Sequence, residues 1–225
     1  MSQLQQALTG QVITAATTSE LLQAAHTLLR AAFNNARHDA NSTQGDGTPG
    51  GGTGLSDGEL LDQVLATQQV QNSAWATQTL RLDQLAQREY DKHPHHPDTW
   101  TPLEVGARLG WTDRQTSLRL TQATESVRYT PRLVDHAGTG ELEARKVIAV
   151  SDTLADTAST LESADEPHTP GLAAKITDAI QTEILASTPE TSTSTKLRRR
   201  TRAPTDPART GRVRPRCGGT TTRLH

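Results

Sequence analysis

A chain of 225 residues with 33% hydrophobic side chains and only six aromatics (Phe33, Trp75, Tyr90, Trp100, Trp111 and Tyr129) holds too little bulky apolar material for a large sandwich or barrel. The net charge of −2 hides an asymmetry: from Lys196 to His225 ten Lys or Arg face the single acid Asp206, whereas residues 1–195 hold 13 basic and 24 acidic groups. The lone cysteine, Cys217, excludes an intramolecular disulfide, and neither a signal-peptide pattern nor an apolar run near the roughly 20 residues of a membrane span is present, so a cytoplasmic chain without membrane contact is expected.

Residues 19–37 predict an amphipathic helix, capped by Ser19, with Leu21, Leu22, Ala25, Leu28, Leu29, Ala32 and Phe33 at three- and four-residue spacing. Residues 38–55, dominated by Gly and small polar side chains, read as a flexible linker. Ser56 and Glu59 have the spacing of a capping box and open a long helix. Its apolar positions are Leu61, Val64, Leu65, Trp75, Leu82 and Leu85, and it ends before His93-Pro94. Its stripe is broken by Gln68, Gln69 and Gln71, which suits a helix touching partners at both ends, either within one chain or between two copies in a homo-oligomer.

Thr101, Pro102 and Glu104 supply a cap, a first-turn proline and a capping-box acid for a short helix, with Leu103, Gly106, Ala107 and Leu109 expected inside. Gly110 ends it, and Thr112 with Gln115 repeats the capping-box spacing. Thr116, Leu120, Ala123 and Val127 then form one stripe. Two short helices across a glycine turn make a helix-turn-helix pattern. In a recognition helix of this kind, Arg114, Gln115, Ser117, Arg119, Thr121 and Gln122 would face DNA, where Arg pairs with guanine and Gln with adenine. The competing reading is a plain helical hairpin with a polar outer face, favoured by the few basic residues and by Leu118 on that face.

A short helix follows from Thr130-Pro131 through Leu133 and Val134. Helices are also expected over 140–154 and 172–185, and residues beyond Pro189 read as disordered. His93, His95 and His96 offer imidazoles, but two prolines hold them extended and no partner ligand completes a metal site. The tail, including Arg198, Arg199 and Arg200, suits salt-dependent phosphate contact. It has equally the composition of GC-rich coding DNA read out of frame. No phosphate loop, nucleophile elbow or zinc-protease motif occurs, so no catalytic, cofactor or metal residue is assigned and no enzyme activity is expected.

Residues 100–150 resemble the actinobacterial domain-of-unknown-function family numbered 222. The resemblance rests on Leu109-Gly110-Trp111-Thr112, Arg114 and Arg119, Thr130-Pro131-Arg132-Leu133, and Gly140-Glu141-Leu142. Thr195-Lys196-Leu197-Arg198-Arg199-Arg200 looks like the family's next block, extending the likeness over residues 57–202. It implies an all-helical region that stands ahead of a C-terminal HNH nuclease domain; the histidines and paired cysteines of such a nuclease do not occur here, and the likeness stops after Arg202.

The expectation is therefore an all-α chain: an N-terminal helical segment (1–37), a Gly-rich linker (38–55), a helical domain with a helix-turn-helix-like hairpin (56–188) and a disordered basic tail (189–225), truncated or frameshifted. Its expected role is that of a DNA-associated accessory domain of an HNH-endonuclease-like protein, lacking the nuclease site, that binds double-stranded DNA through Arg114, Gln115, Arg119, Arg198, Arg199 and Arg200. The alternative is a helical protein-interaction module without nucleic-acid affinity.

Overall fold

A computed structural model describes residues 16–42, 55–92, 101–162, 172–187 and 189–202. The described residues form eight α-helices and one 3-10 turn, with no strand among them. The helices are α1 (Thr18–Ser42), α2 (Asp57–Lys92), α3 (Thr101–Leu109), α4 (Asp113–Tyr129), α5 (Pro131–Gly138), α6 (Ala144–Glu162), α7 (Leu172–Ala186) and α8 (Ser194–Arg202), with the 3-10 turn at Pro189–Thr191 before α8. The all-α class follows directly from the three- and four-residue apolar spacing. The chain divides into two units, residues 1–61 and 62–225.

In the first unit, α1 starts one residue before the expected Ser19. The box that caps it is Thr17 with Glu20: the Glu20 carboxylate accepts from the Thr17 amide and hydroxyl at 2.7 and 2.8 Å. These bonds stabilise the anion and hold the Glu20 carboxyl below its ordinary range. The helix runs to Ser42, so the expected linker begins at least five residues late, and residues 43–54 lie outside the described ones. Leu22, Leu28, Leu29 and Phe33 are all exposed. At the start of α2 the expected box forms: Glu59 accepts from the Ser56 amide and hydroxyl at 2.7 and 2.9 Å.

The second unit is built around α6, which packs most extensively against α4 and α8. One core cluster joins Leu133, Val134, Leu142, Val147, Val150, Leu154, Ile180, Ile184 and Leu197; a smaller one joins Leu82, Val105, Leu120 and Ala123, with Trp111 against it. Burying a side chain of this size contributes roughly 1.5–3 kcal/mol. On α2 the face turned inward is largely polar: Asn72, Thr79 and Glu89 are buried beside Ala76 and Leu82, whereas Leu61, Val64, Leu65 and Leu85 are exposed.

Three expected boundaries are corrected. The segment expected to be helical from residue 140 becomes so only at Ala144. Gly140 sits at φ +91°, its carbonyl accepts from Asn72 Nδ2 at 2.8 Å, and a Cβ there would meet the Gln69 carbonyl oxygen at 3.0 Å. That helix also continues to Glu162, past the expected 154. The tail expected to be disordered from residue 189 is folded as far as Arg202: Pro189, Leu197 and Thr201 are buried, and Lys146 Nζ donates to the Glu190 carbonyl at 2.6 Å. Residues 203–225 lie outside the described ones.

Candidate nucleic-acid interface

The corner between α3 and α4 is rigidly determined by short-range chemistry. Gly110 takes the left-handed conformation (φ +67°) and turns the chain, and the Trp111 amide donates to the Gly106 carbonyl at 3.0 Å to close the end of α3. Thr112 then caps α4: its hydroxyl accepts from the Gln115 amide at 3.3 Å while Gln115 Oε1 accepts from the Thr112 amide at 3.2 Å. Gly106 allows the two helices to approach, since a Cβ there would stand 3.0 Å from Thr116 Oγ1 and 3.1 Å from the Trp111 carbonyl oxygen. Thr116 itself is fully buried and bonds back to the Thr112 carbonyl.

The buried faces differ in part from those expected. Thr116, Leu120 and Ala123 do face inward, but Ser126, not Val127, completes the stripe. On α3 the inner residues are Val105 and Gly106; Leu103, Ala107 and Leu109 are exposed. The nine-residue helix meets α4 through its smallest residue, so the contact lies beside Gly106 and the bulkier leucines turn away.

Arg114, at the start of α4, is exposed and makes no hydrogen bond or ion pair among the described residues. Gln115 is exposed, but its carbonyl oxygen is committed to the cap just described. The Arg119 guanidinium lies 4.3 Å from the centre of the Trp111 ring, a cation–π stack that fixes its plane and leaves its N–H edges to solvent. The three arginines of α8 differ from one another. Arg198 Nη2 is 3.3 Å from Asp152 Oδ2. Arg199 is exposed, and Arg200 is half-buried, with its Nη1 buried and lacking a hydrogen-bond partner. The six residues therefore form two groups on separate helices, both packed on α6.

Electrostatics divide these groups further. Glu125 of α4 has its carboxyl pushed above the ordinary range by burial first and then by the nearby charges of Asp152 and Asp156. Burial also pushes Asp152 up; Arg198 pulls it down, and Asp156 raises it again. Arg198 thus offsets part of the charge of a half-exposed acidic cluster, while its own side chain stays about half exposed.

A feature the sequence did not reveal is a groove of about 360 Å³ among α2, α4 and α6, whose lining includes Trp75, Leu82, Leu118, Ile148, Gln115 and Arg119. Its only sequence signal is Leu118 on an otherwise polar face. Two of the expected DNA-contact residues thereby border an apolar depression. His93, His95 and His96 lie outside the described residues, and among those described no group of three His, Cys, Asp or Glu is placed to hold a metal ion. Nor, among them, is any helix long and apolar enough to cross a membrane. Searches against protein-family models, curated proteins and solved structures find no match to this chain.

Proposed function

We propose that the helical body is a DNA-associated accessory domain that contacts duplex DNA through the α3–α4 hairpin and carries no nuclease chemistry of its own. The observation that carries this reading is the corner itself: a glycine turn, a complete capping box and a close helix approach present Arg114 unpaired and Arg119 held against Trp111 at the exposed start of a helix. A preorganised guanidinium loses less freedom on meeting a phosphate or a base edge. The resemblance of residues 57–202 to the family numbered 222, whose members stand ahead of HNH nuclease domains, supports the same reading, and the lack of a signal-peptide pattern or membrane-spanning run in the sequence supports a cytoplasmic location. Gln115 spends its Oε1 on the cap and Arg198 shares its charge with Asp152, so in this reading Arg114 and Arg119 carry more of the contact than they do. Arg199 of α8 adds long-range attraction only.

The experiment is fluorescence anisotropy of a labelled duplex titrated with the whole chain and with Arg114→Ala/Arg119→Ala. The double variant is expected to weaken binding severalfold at moderate salt and to flatten the salt dependence by about one unit for each phosphate it no longer neutralises. Equal affinity for both proteins rejects the hairpin.

One observation favours a second reading, a protein-interaction module. The groove beside Leu118 is lined mainly by apolar atoms and suits the anchoring side chains of a partner helix. Under that reading, Leu118→Glu abolishes partner capture, and the arginine substitutions have no effect.

A further inference from the structure

The groove among α2, α4 and α6 is built wholly from residues of the second unit, and its lining has two chemically distinct parts. The first is apolar: Leu82 and Ala123 are buried, Trp75 and Ile148 are half-buried, and Leu118 is exposed. The open volume of about 360 Å³ stands at the lower end of the range of small-molecule sites. Apolar side chains left half-covered around it gain by any ligand that takes them out of water.

The second part consists of donors. Gln115 and Arg119 stand one turn apart on α4, and both line the groove. Each is oriented by a contact of its own. Gln115 Oε1 accepts from the Thr112 amide at 3.2 Å, which leaves its NH2 group without a partner among the described residues. Arg119 is stacked on Trp111 at 4.3 Å, with its N–H edges unused among the same residues. Donors fixed in this way lose little freedom when a ligand arrives.

Charge selects the ligand. Arg119 is the one charged residue among the described ones lining the groove, and no Asp or Glu is among them. A neutral apolar occupant would strip water from the guanidinium and the Gln115 amide and give them no acceptor in return. A phosphate monoester brings close to two negative charges against one cation, in a body where 24 acidic groups outnumber 13 basic ones over residues 1–195. A carboxylate brings one, and its two oxygens match the guanidinium fork. Trp75 offers an aromatic body a ring to stack on.

We propose that this groove binds a small aromatic monocarboxylate, with the carboxylate on Arg119 and Gln115 and the ring against Trp75, Leu118 and Ile148. The site is independent of the DNA reading, although Arg119 serves both, and its test contains no nucleic acid, so the two stand or fall separately.

Two-dimensional amide NMR of the isotope-labelled full chain, titrated with naphthylacetate and with its neutral amide naphthylacetamide, tests it. The acid is expected to move the Trp75 indole N–H and the Leu118 and Ile148 amide signals, and to bind about tenfold more tightly than the amide, as a charge-assisted hydrogen bond implies. Arg119→Gln, at an exposed position, is expected to remove that preference, and Leu118→Gln to weaken acid and amide alike while keeping it. The proposal is overturned if the acid moves none of these signals up to about 10 mM, beyond the range of weak specific binding. It is equally overturned if acid and amide bind alike, the behaviour of a groove made for the apolar anchors of a partner helix, or if Arg119→Gln retains the preference.

Discussion

Gly140, Gly110 and Gly106 show how differently one residue type is used along this chain. Gly140 combines a positive φ with a backbone contact at Gln69, so Gly140→Ala is strained both by conformation and by space. It is expected to cost about 2 kcal/mol or more, read from the urea midpoint. Gly110 has the same conformational need with open space around it, and Gly110→Ala should cost only about 1–2 kcal/mol. The carboxylates separate in a similar way. Glu125 and Asp152 titrate above their ordinary range, so the folded state binds their protons more tightly than the unfolded state does. Their contribution to stability improves as pH falls from neutrality through their raised folded values toward the ordinary carboxylate range. Glu125→Gln should therefore stabilise the fold at pH 7.5, by no more than about 0.5 kcal/mol because solvent still screens a group that is only partly buried. That gain should close near pH 4, where Glu125 is itself neutral. Thermal melts of both proteins across this range check it; a gain that persists at low pH would mean that packing, and not charge, is responsible. Glu190 runs the opposite way: the His136 side chain hydrogen-bonds its carboxylate and holds it low, so its contribution is present above the ordinary carboxylate pKa and is lost on acidification through the lowered folded value.

At the level of helices, legibility in the sequence followed local chemistry closely. The capping boxes at Ser56 and at Thr112 were readable because they are three-residue patterns whose bonds form within one turn. Helix α8 was not: its composition is cationic, and only Leu197 and Thr201, one turn apart, reach the core. No periodicity is visible in nine residues with two inward positions, and its stability comes from α6, far away in sequence. Leu197→Ala should therefore cost about 2–4 kcal/mol, unusual for a residue in so polar a segment. The same variant should raise amide exchange throughout 194–202; a cost below about 0.5 kcal/mol, the size of an ordinary surface substitution, would show that α8 is not docked. The inward face of α3 was misread for a related reason. Propensity and hydrophobicity point to Leu103 and Leu109, but the close approach at Gly106 rotates the contact toward the glycine, and that approach depends on Thr116 and Trp111 of the following segment. Among candidate DNA contacts, exposure could be guessed for Arg114 from the pattern. The engagement of Arg198 with Asp152, 46 residues away, could not.

For the molecule as a whole, an acidic body and a cationic C-terminal region compete for the same explanation of DNA affinity. Thirteen basic against 24 acidic groups over residues 1–195 repel phosphate, so any binding by the body must come from a local arrangement and not from net charge. Binding by residues 203–225, in contrast, would be insensitive to sequence and steeply salt-dependent. The hairpin account separates from a purely electrostatic one when α8 is retained, because Leu197 belongs to the core and a cut before Arg202 would damage the fold. The deciding measurement is duplex affinity against salt concentration for residues 1–202, with and without Arg114→Ala/Arg119→Ala. If the hairpin contacts DNA, residues 1–202 bind and the double variant loses affinity severalfold. If residues 1–202 do not bind, or bind equally with both arginines removed, the hairpin is not a DNA contact.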